Sequence, residues 1–589
     1  MSARPHRAGD LAAICLAGIL AAPLAVVWIA TAAATLLTSR TPTLLSLGQA
    51  LRVAVRLPRR FADPRLAWPG ALRAKLPSPA LLEAALAVAS LVVLALLGTV
   101  VWWLAARLHR SERERAARFA RGSDLQDLYT DRPQPGRITL GEHNGRLIAA
   151  EPRASVLGIG PAQSGKSTGL IVPAVLEWRG PVLSTSVKAD VVHDTHAARA
   201  RLGEVQVFDP TGSSGLPHTP WSPVAAARTW EGARRTAANL LGVGDHGQAH
   251  SNDETFWKPA GARYLAPLLL AAAHGQLTMS DVLRWIAEMD QDQPAELLNG
   301  CPSRGAKPGL HALKSVWDAD HRLQSSLMQT IATGLDAWQE PAIAAATIGE
   351  RQINPATLLS GENTLYLVAP AHEQRRLRGL FTALVADITA HAFGRSAATG
   401  QPIDPPLLLA LDEAANIAPL PNLDEIASTG PGQGVQLLTI LQNISQAADR
   451  WGHDRAETII ANHRARLFCS GIGDRATLEY LRTTLGEEEI ARIATHRQSP
   501  LATGSRTYST DFRSLAAPHR VRQADTNTAL LIYGRLAPAW ISLRPWYANT
   551  KLRQLITSAQ AAAAARHVDP VTGIAAAQSP VPSNGGPVR

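Results

Sequence analysis

The sequence predicts an α/β protein. A P-loop nucleotide-binding domain on a parallel sheet is interrupted by an all-helical insertion and preceded by a two-helix membrane anchor. Three observations predict this architecture. Two long apolar runs without a charge lie within the first 106 residues. From about residue 150, strand-like apolar runs alternate with helical stretches, the pattern of successive βαβ units. A complete phosphate-loop motif follows the first of those strands.

The anchor comes first in the chain. Residues 11–39 and 84–106 carry no charged side chain, and about 20 apolar residues suffice for a helix to cross a hydrocarbon core. These runs place membrane helices at about 11–37 and 82–106. Trp102 and Trp103 stand near one end of the second, where interfacial aromatics concentrate. The first run also reads as a signal peptide with Arg4 and Arg7 before it, although it is longer than a usual signal core. Either reading returns the chain to the cytoplasmic side after Ala106. Arg107, Arg110, Arg113, Arg115, Arg118 and Arg121 then follow the positive-inside rule. The connecting loop obeys it less well, with Arg40, Arg52, Arg56, Arg59, Arg60, Arg65, Arg73 and Lys75.

Charge sharpens the division. The 589 residues carry a net +10. Residues 1–122 hold 16 basic and 5 acidic side chains, hence +11, and the remaining 42 basic and 43 acidic side chains give −1. The basicity belongs to the anchor and suits anionic lipid; it is no argument for a nucleic-acid partner. Cys15, Cys301 and Cys469 are too few and too scattered for a disulfide framework or a thiolate zinc site.

Beyond residue 122, candidate strands are Val156–Ile159, Pro181–Thr185, Val205–Phe208, Thr364–Val368, Leu407–Leu411, Val435–Ile440 and Arg466–Ser470. Between about 225 and 360 the strand signal gives way to amphipathic helical stretches containing Trp230, Trp257, Trp285, Trp317 and Trp338, read as core filling. The expected domains are therefore an anchor over 1–122, a nucleotide-binding domain over 123–224 and 361–555, a helical insertion over 225–360, and a disordered Ala/Pro/Ser/Gly-rich tail over 556–589.

Residues 160–167 read Gly-Pro-Ala-Gln-Ser-Gly-Lys-Ser, a full G-x-x-x-x-G-K-[ST] between a strand and a predicted helix over 168–178. Such a loop turns its backbone N–H groups toward phosphate oxygens, and the following helix N-terminus adds a favourable dipole. Gly160, Pro161, Ala162, Gln163, Ser164, Gly165, Lys166, Ser167 and Thr168 are the candidate nucleotide-binding residues. Lys166 is placed for the β- and γ-phosphates of ATP and Ser167 for Mg²⁺. Hydrolysis needs a carboxylate at the end of another buried strand. Leu407–Leu411 delivers Asp412 as a second Mg²⁺ ligand and Glu413 to polarise the attacking water. The strand Val435–Ile440 leads to Gln442, a candidate sensor of γ-phosphate or water on the same sheet edge. His193 and His196, three apart on a predicted helix, have no third ligand and read as a solvated face. Asp209 and Pro210 read as a turn at the sheet edge.

The ordered features from the P-loop onward resemble the type IV secretion coupling proteins, membrane ATPases of bacterial conjugation related to TraG and TraD. They are Ser184-Thr185-Ser186-Val187-Lys188-Ala189-Asp190, Val207-Phe208-Asp209-Pro210, Trp221-Ser222-Pro223, the helical insertion, Leu407–Glu413 and Leu441–Gln446. The resemblance covers about residues 150–550. It implies a RecA-like motor, assembled as a hexamer under the bacterial inner membrane with its ATPase domain cytoplasmic. Such a motor recruits a relaxase–DNA complex through the helical domain, hands it to the secretion channel and moves single-stranded DNA by ATP hydrolysis. One departure stands out. Many relatives carry a basic residue suited to a trans-acting arginine finger before the sensor strand, where this chain has Ser428-Thr429-Gly430-Pro431-Gly432-Gln433-Gly434. Arg464 and Arg466 are the alternative candidates; lacking any finger costs on the order of 10³ in turnover. Two other functions fit the residues: an FtsK-like DNA translocase or protein-exporting ATPase, and an ATP-binding receptor platform that docks substrates without pumping. The position of the helical insertion favours the coupling reading over the first.

Overall fold

A computed structural model describes residues 6–60, 62–113, 117–243, 252–496 and 505–566. The chain divides into two compact units, Met1–Ala116 and Ala117–Arg589.

The first unit is built on two long helices, His6–Ser39 and Pro79–Arg113. Their segments Leu20–Ser39 and Pro79–Trp103, with mean hydropathy 2.0 and 2.6, are long and apolar enough to cross a membrane. Leu91, Leu94, Leu96 and Trp102 present exposed apolar surface along the second. The connector between the helices is folded, which the sequence did not foretell. Ser46 and Gln49 form a capping box on the short helix Leu47–Arg56. Trp68 is buried among Val27, Ala34, Leu45, Ala50, Val53 and Leu82, and its Nε1 donates to Thr31 Oγ1 at 2.9 Å. Arg52, Arg56, Arg59 and Arg60 lie exposed on this connector.

The second unit begins at Ala117, six residues before the expected boundary. The Ala120 amide already donates to Pro538 O, and Phe119 packs on Trp540, so the basic flank from Arg118 to Arg121 belongs to this unit. Its strands are β1 Thr139–His143, β2 Arg146–Ala149, β3 Val156–Ile159, β4 Val182–Ser186, β5 Val205–Phe208, β6 Thr364–Val368, β7 Leu407–Leu411, β8 Val435–Leu441, β9 Ala465–Cys469, β10 Glu487–His496, β11 Ser505–Ser514, β12 Thr528–Tyr533 and β13 Ala539–Ser542. The seven strands read from the sequence are all present, shifted by at most one residue at their ends.

Eleven strands form one sheet in the order β2-β1-β13-β12-β9-β3-β8-β7-β4-β6-β5, while β10 and β11 pair as a separate hairpin. From β9 to β5 all neighbours are parallel. The other four strands extend this sheet antiparallel, so it is mixed, not purely parallel. The missed strands differ in pattern: β12, Thr-Ala-Leu-Leu-Ile-Tyr, is a plain apolar run, whereas β1 is weak. β1 reads Thr-Leu-Gly-Glu-His and carries a register shift next to Gly141, where a Cβ would lie 2.5 Å from Ser542 O.

Both faces of the parallel part are covered, which explains its unbroken apolar runs. In β7, Leu408 and Ala410 join the layer made by Ile171, Val175 and Val191, while Leu407, Leu409 and Leu411 face Leu380, Phe381 and Leu384 of the helix Gln374–Thr399. The helical insertion leaves after β5 and returns before β6, strands that pair with each other at the sheet edge. Among the described residues it holds helices and no strand. Trp285 is fully buried and Trp338 nearly so, with Trp230, Trp257 and Trp317 packed against the same core. The expected tail starts too early. Residues Thr550–Arg566 form a helix that buries Leu552, Ile556 and Ala559; an Ala-rich run is good helix-forming sequence when one face finds a core. Residues 567–589 lie outside the described residues.

Candidate functional site

The site forms along the sheet edge where the parallel strands end. β3 leads into the loop Gly160–Lys166, and the helix that follows runs Ser167–Ile171 in a wide π turn and then Val172–Glu177. Two glycines are required by close approach. At Gly160 a Cβ would lie 2.7 Å from Cys469 Cβ, and Gly165, at φ +86°, would place one 2.2 Å from Asn527 Oδ1. Ser164 Oγ donates to Pro161 O at 2.9 Å, tying the two sides of the loop together. Pro161, Ala162 and Gln163 form its more open rim, and Thr168 O accepts from Trp546 N at 3.1 Å.

Lys166 is buried, with its Nζ 2.5 Å from both Gly160 O and Pro161 O. Burial lowers its pKa, and the nearby Glu413 and Asp412 carboxyl groups oppose that effect. Cys469, at the end of β9, is buried under the loop, and burial pushes its thiol up to about 11. It is therefore a neutral packing group at physiological pH.

Two strands away from the loop, Asp412 directly follows β7. Its Oδ2 accepts from Ser167 Oγ at 2.6 Å, and its backbone oxygen accepts from Thr185 Oγ1 on β4 at 2.7 Å. Burial raises the Asp412 carboxyl to about 6, opposed by the Ser167 hydrogen bond and reinforced by Glu413. Ser167 and Asp412, 245 residues apart in sequence, thus present two hard oxygen donors at one point. No group of three or more His, Cys, Asp or Glu suited to a metal ion occurs among the described residues. The pair fits an ion such as Mg²⁺, which takes few protein oxygens and completes its shell with phosphate and water.

Glu413 adopts a left-handed backbone, φ 53°, uncommon for a residue with a side chain. Its carboxylate is held by three amide hydrogen bonds. Gln442 Nε2 donates to Oε1 at 3.1 Å and to Oε2 at 2.9 Å, and Asn416 Nδ2 donates to Oε2 at 3.0 Å. Gln442 therefore joins the site by gripping Glu413, an arrangement its expected phosphate-sensing place does not require. The contact between β7 and β8 supplies it, and single-sequence spacing holds no signal for it.

Other candidates fall elsewhere. Arg464 and Arg466 lie at the start of β9, the sheet edge opposite the P-loop. Arg464 pairs with Glu151 at 2.6 Å and Arg466 donates to Tyr480 OH at 2.9 Å. Asp209 caps its own turn, accepting from Thr211 and Ser214, and Ser222 caps the helix Pro223–Ala226. The Ser184–Asp190 motif puts Thr185 against Asp412 and starts the helix Asp190–Arg199 that carries His193 and His196.

A sequence profile of type IV secretory system conjugative DNA transfer proteins matches residues 116–568. The chain belongs to this family. Among its relatives, the protein VirD4 of Rhizobium radiobacter is 22% identical over 433 residues, covering 71% of this chain and 59% of that protein. The conjugal transfer protein TraG of Escherichia coli is 25% identical over 399 residues, covering 62% and 60%. The chain thus spans about three fifths of the length of these curated relatives. Solved structures of the bacterial conjugative coupling protein TrwB share the fold. An unbound form lacking an N-terminal segment has a TM-score of 0.55 at 18% identity, covering 73% of this chain and 93% of that one. A complex of TrwB with ADP and Mg²⁺ gives 0.55 at 18%, covering 73% and 94%. The family fold is the RecA-like P-loop sheet with a helical insertion, as expected, carrying here the antiparallel extension described above.

Proposed function

We propose that this chain is a membrane-anchored ATPase that couples a relaxase–DNA substrate to a type IV secretion channel and drives conjugative transfer of single-stranded DNA. Family membership supports the pathway. The observation that carries the motor reading is the convergence of Lys166, Ser167, Asp412, Glu413 and Gln442 on one sheet edge. TrwB has been solved with the analogue ADPNP and with ADP and Mg²⁺, which supports ATP and Mg²⁺ as the ligands here. Location in the bacterial inner membrane, with the ATPase domain cytoplasmic, rests on the two apolar helices. The partners proposed with it are membrane lipid, channel components and five further copies in a hexameric ring.

The residues divide the work as follows. The N–H groups of Ala162–Thr168 cradle the phosphates, and Lys166 turns its donors from loop carbonyls to β- and γ-phosphate oxygens. Ser167 and Asp412 would hold Mg²⁺, which would supply positive charge at the transferred phosphate. Glu413, oriented by Gln442 and Asn416, accepts a proton from the attacking water. Burial of Asp412 and Lys166 keeps this end of the site dry, where fixed charges act more strongly than in water.

Lys166→Ala and Glu413→Gln test the reading in a mating assay. Each abolishes plasmid transfer while the chain still fractionates with the membrane. Transfer surviving both changes refutes the motor and leaves a docking platform.

A further inference from the structure

The antiparallel extension brings a loop to the phosphate site that nothing in the chemistry of hydrolysis requires. The groups that would act on the γ-phosphate and Mg²⁺, namely Asp412, Glu413 and Gln442, follow β7 and β8, on one side of β3 in the sheet. On the other side stand β9, β12 and β13. β12 runs antiparallel to β9, with Ala529 opposite Cys469, so the start of β12 lies at the P-loop edge. Asn527 immediately precedes it. β13 runs antiparallel to β12 and ends at the same edge, where Leu543 N donates to Asn527 O at 2.7 Å.

Asn527 sits directly on the P-loop. Its Oδ1 occupies the space that a side chain at Gly165 would fill, 2.2 Å from the position of a Cβ there. Its own backbone is left-handed, φ 64°, a conformation that asparagine tolerates better than most residues. With Oδ1 turned to the loop, the carboxamide keeps Nδ2 as a donor, and the residue is half-buried. Asp525 and Thr526 beside it are exposed.

A triphosphate in a P-loop has a fixed direction, because the lysine and the metal ligands take its β/γ end. Here Asp412, Glu413 and Gln442 flank that end of the loop from the β8–β7 side, which turns the α-phosphate, ribose and base toward β9 and β12. Resting on the reading of this loop as a nucleotide site, we propose that the Asp525–Asn527 turn forms the ribose-and-base end of the site. Asn527 is then its specificity-determining residue, donating from Nδ2 to the nucleoside while its Oδ1 holds Gly165 open.

The test compares ATP with inorganic tripolyphosphate, a ligand that has phosphates and no nucleoside. Asn527→Gly removes the side chain and keeps the left-handed backbone free of strain. Asn527→Asp keeps size and packing and removes the donor. Equilibrium binding of both ligands is measured on the full chain in detergent with Mg²⁺. Loss of one hydrogen bond to the nucleoside weakens ATP about tenfold relative to tripolyphosphate in both variants. An equal loss for both ligands means that Asn527 only shapes the loop, and overturns the proposal. So does unchanged binding of ATP. Wild-type chain that binds neither ligand refutes the nucleotide reading itself, a result distinguishable from the other two.

Discussion

Gln442→Ala separates two roles for a residue that reaches the site through Glu413. Its Nε2 contacts both carboxylate oxygens of Glu413, at 3.1 and 2.9 Å, and Asn416 supplies one further bond at 3.0 Å. These amides hold a carboxylate whose backbone sits at φ 53°. A hydrogen bond to an ionised group contributes about 1.5–3 kcal/mol. With 1.36 kcal/mol per decade of rate, loss of Gln442 lowers kcat for ATP hydrolysis about 10- to 100-fold. KM for ATP stays within about twofold, because the Gln442 side chain bonds Glu413 and a positioning role acts on the chemical step. Asn416→Ala, which leaves the Gln442 grip intact, costs less, up to about tenfold. Steady-state hydrolysis by the full chain, titrated with ATP, reads both constants, and a thermal melt checks the fold. The reasoning is refuted if KM rises while kcat holds, the signature of a residue that binds γ-phosphate directly. It fails equally if Gln442→Ala leaves both constants unchanged.

Two further predictions concern groups buried away from the site. His463 is fully buried, donates from Nδ1 to Ile459 O at 2.7 Å, and accepts from Thr439 Oγ1 at 3.0 Å through Nε2. Burial, opposed by the bond to Ile459 and reinforced by Arg466, lowers its pKa to about 4. The unfolded state therefore binds more protons between about pH 6.5 and 4, and stability falls as pH drops through that window. The loss is about 2 kcal/mol between pH 7 and 5; urea midpoints of His463→Gln, compared with wild type, show that component gone, and identical pH slopes contradict it. Arg199 is completely buried and donates to Trp178 O, Gly180 O, Glu362 O and Thr364 Oγ1 at 2.7–2.9 Å. Arg199→Met strands these acceptors and costs about 3 kcal/mol or more, read as a lower urea midpoint; a loss under about 1 kcal/mol sinks this account.

The parts of the fold legible in the sequence share one physical property. A strand buried on both faces, such as Leu407–Leu411, is apolar throughout and stands out without context. Strands β1 and β2 are short and carry Gly141, Glu142 and Arg146, and β1 joins the sheet only through β13, far along the chain. The β1–β2 hairpin does carry one local mark, its two-residue turn Asn144-Gly145 with φ of 52° and 72°. The same contrast holds in the site. Gly160–Ser167 and Asp412–Glu413 lie next to their strands, so backbone connectivity places them. Asn527 reaches Gly165 only because β12 and β13 return antiparallel to the P-loop edge, and Arg199 finds its four acceptors only in the assembled sheet. The folded connector around Trp68 was hidden for another reason. Its many exposed arginines masked a small set of buried apolar residues.

The central claim is that ATP turnover at the Lys166–Glu413 site is coupled to nucleic acid. The most direct measurement is hydrolysis by the purified full chain in detergent, with and without single-stranded DNA, beside Glu413→Gln. The account predicts turnover that rises with single-stranded DNA and is absent in the variant. Turnover indifferent to DNA, or persisting in Glu413→Gln, contradicts it.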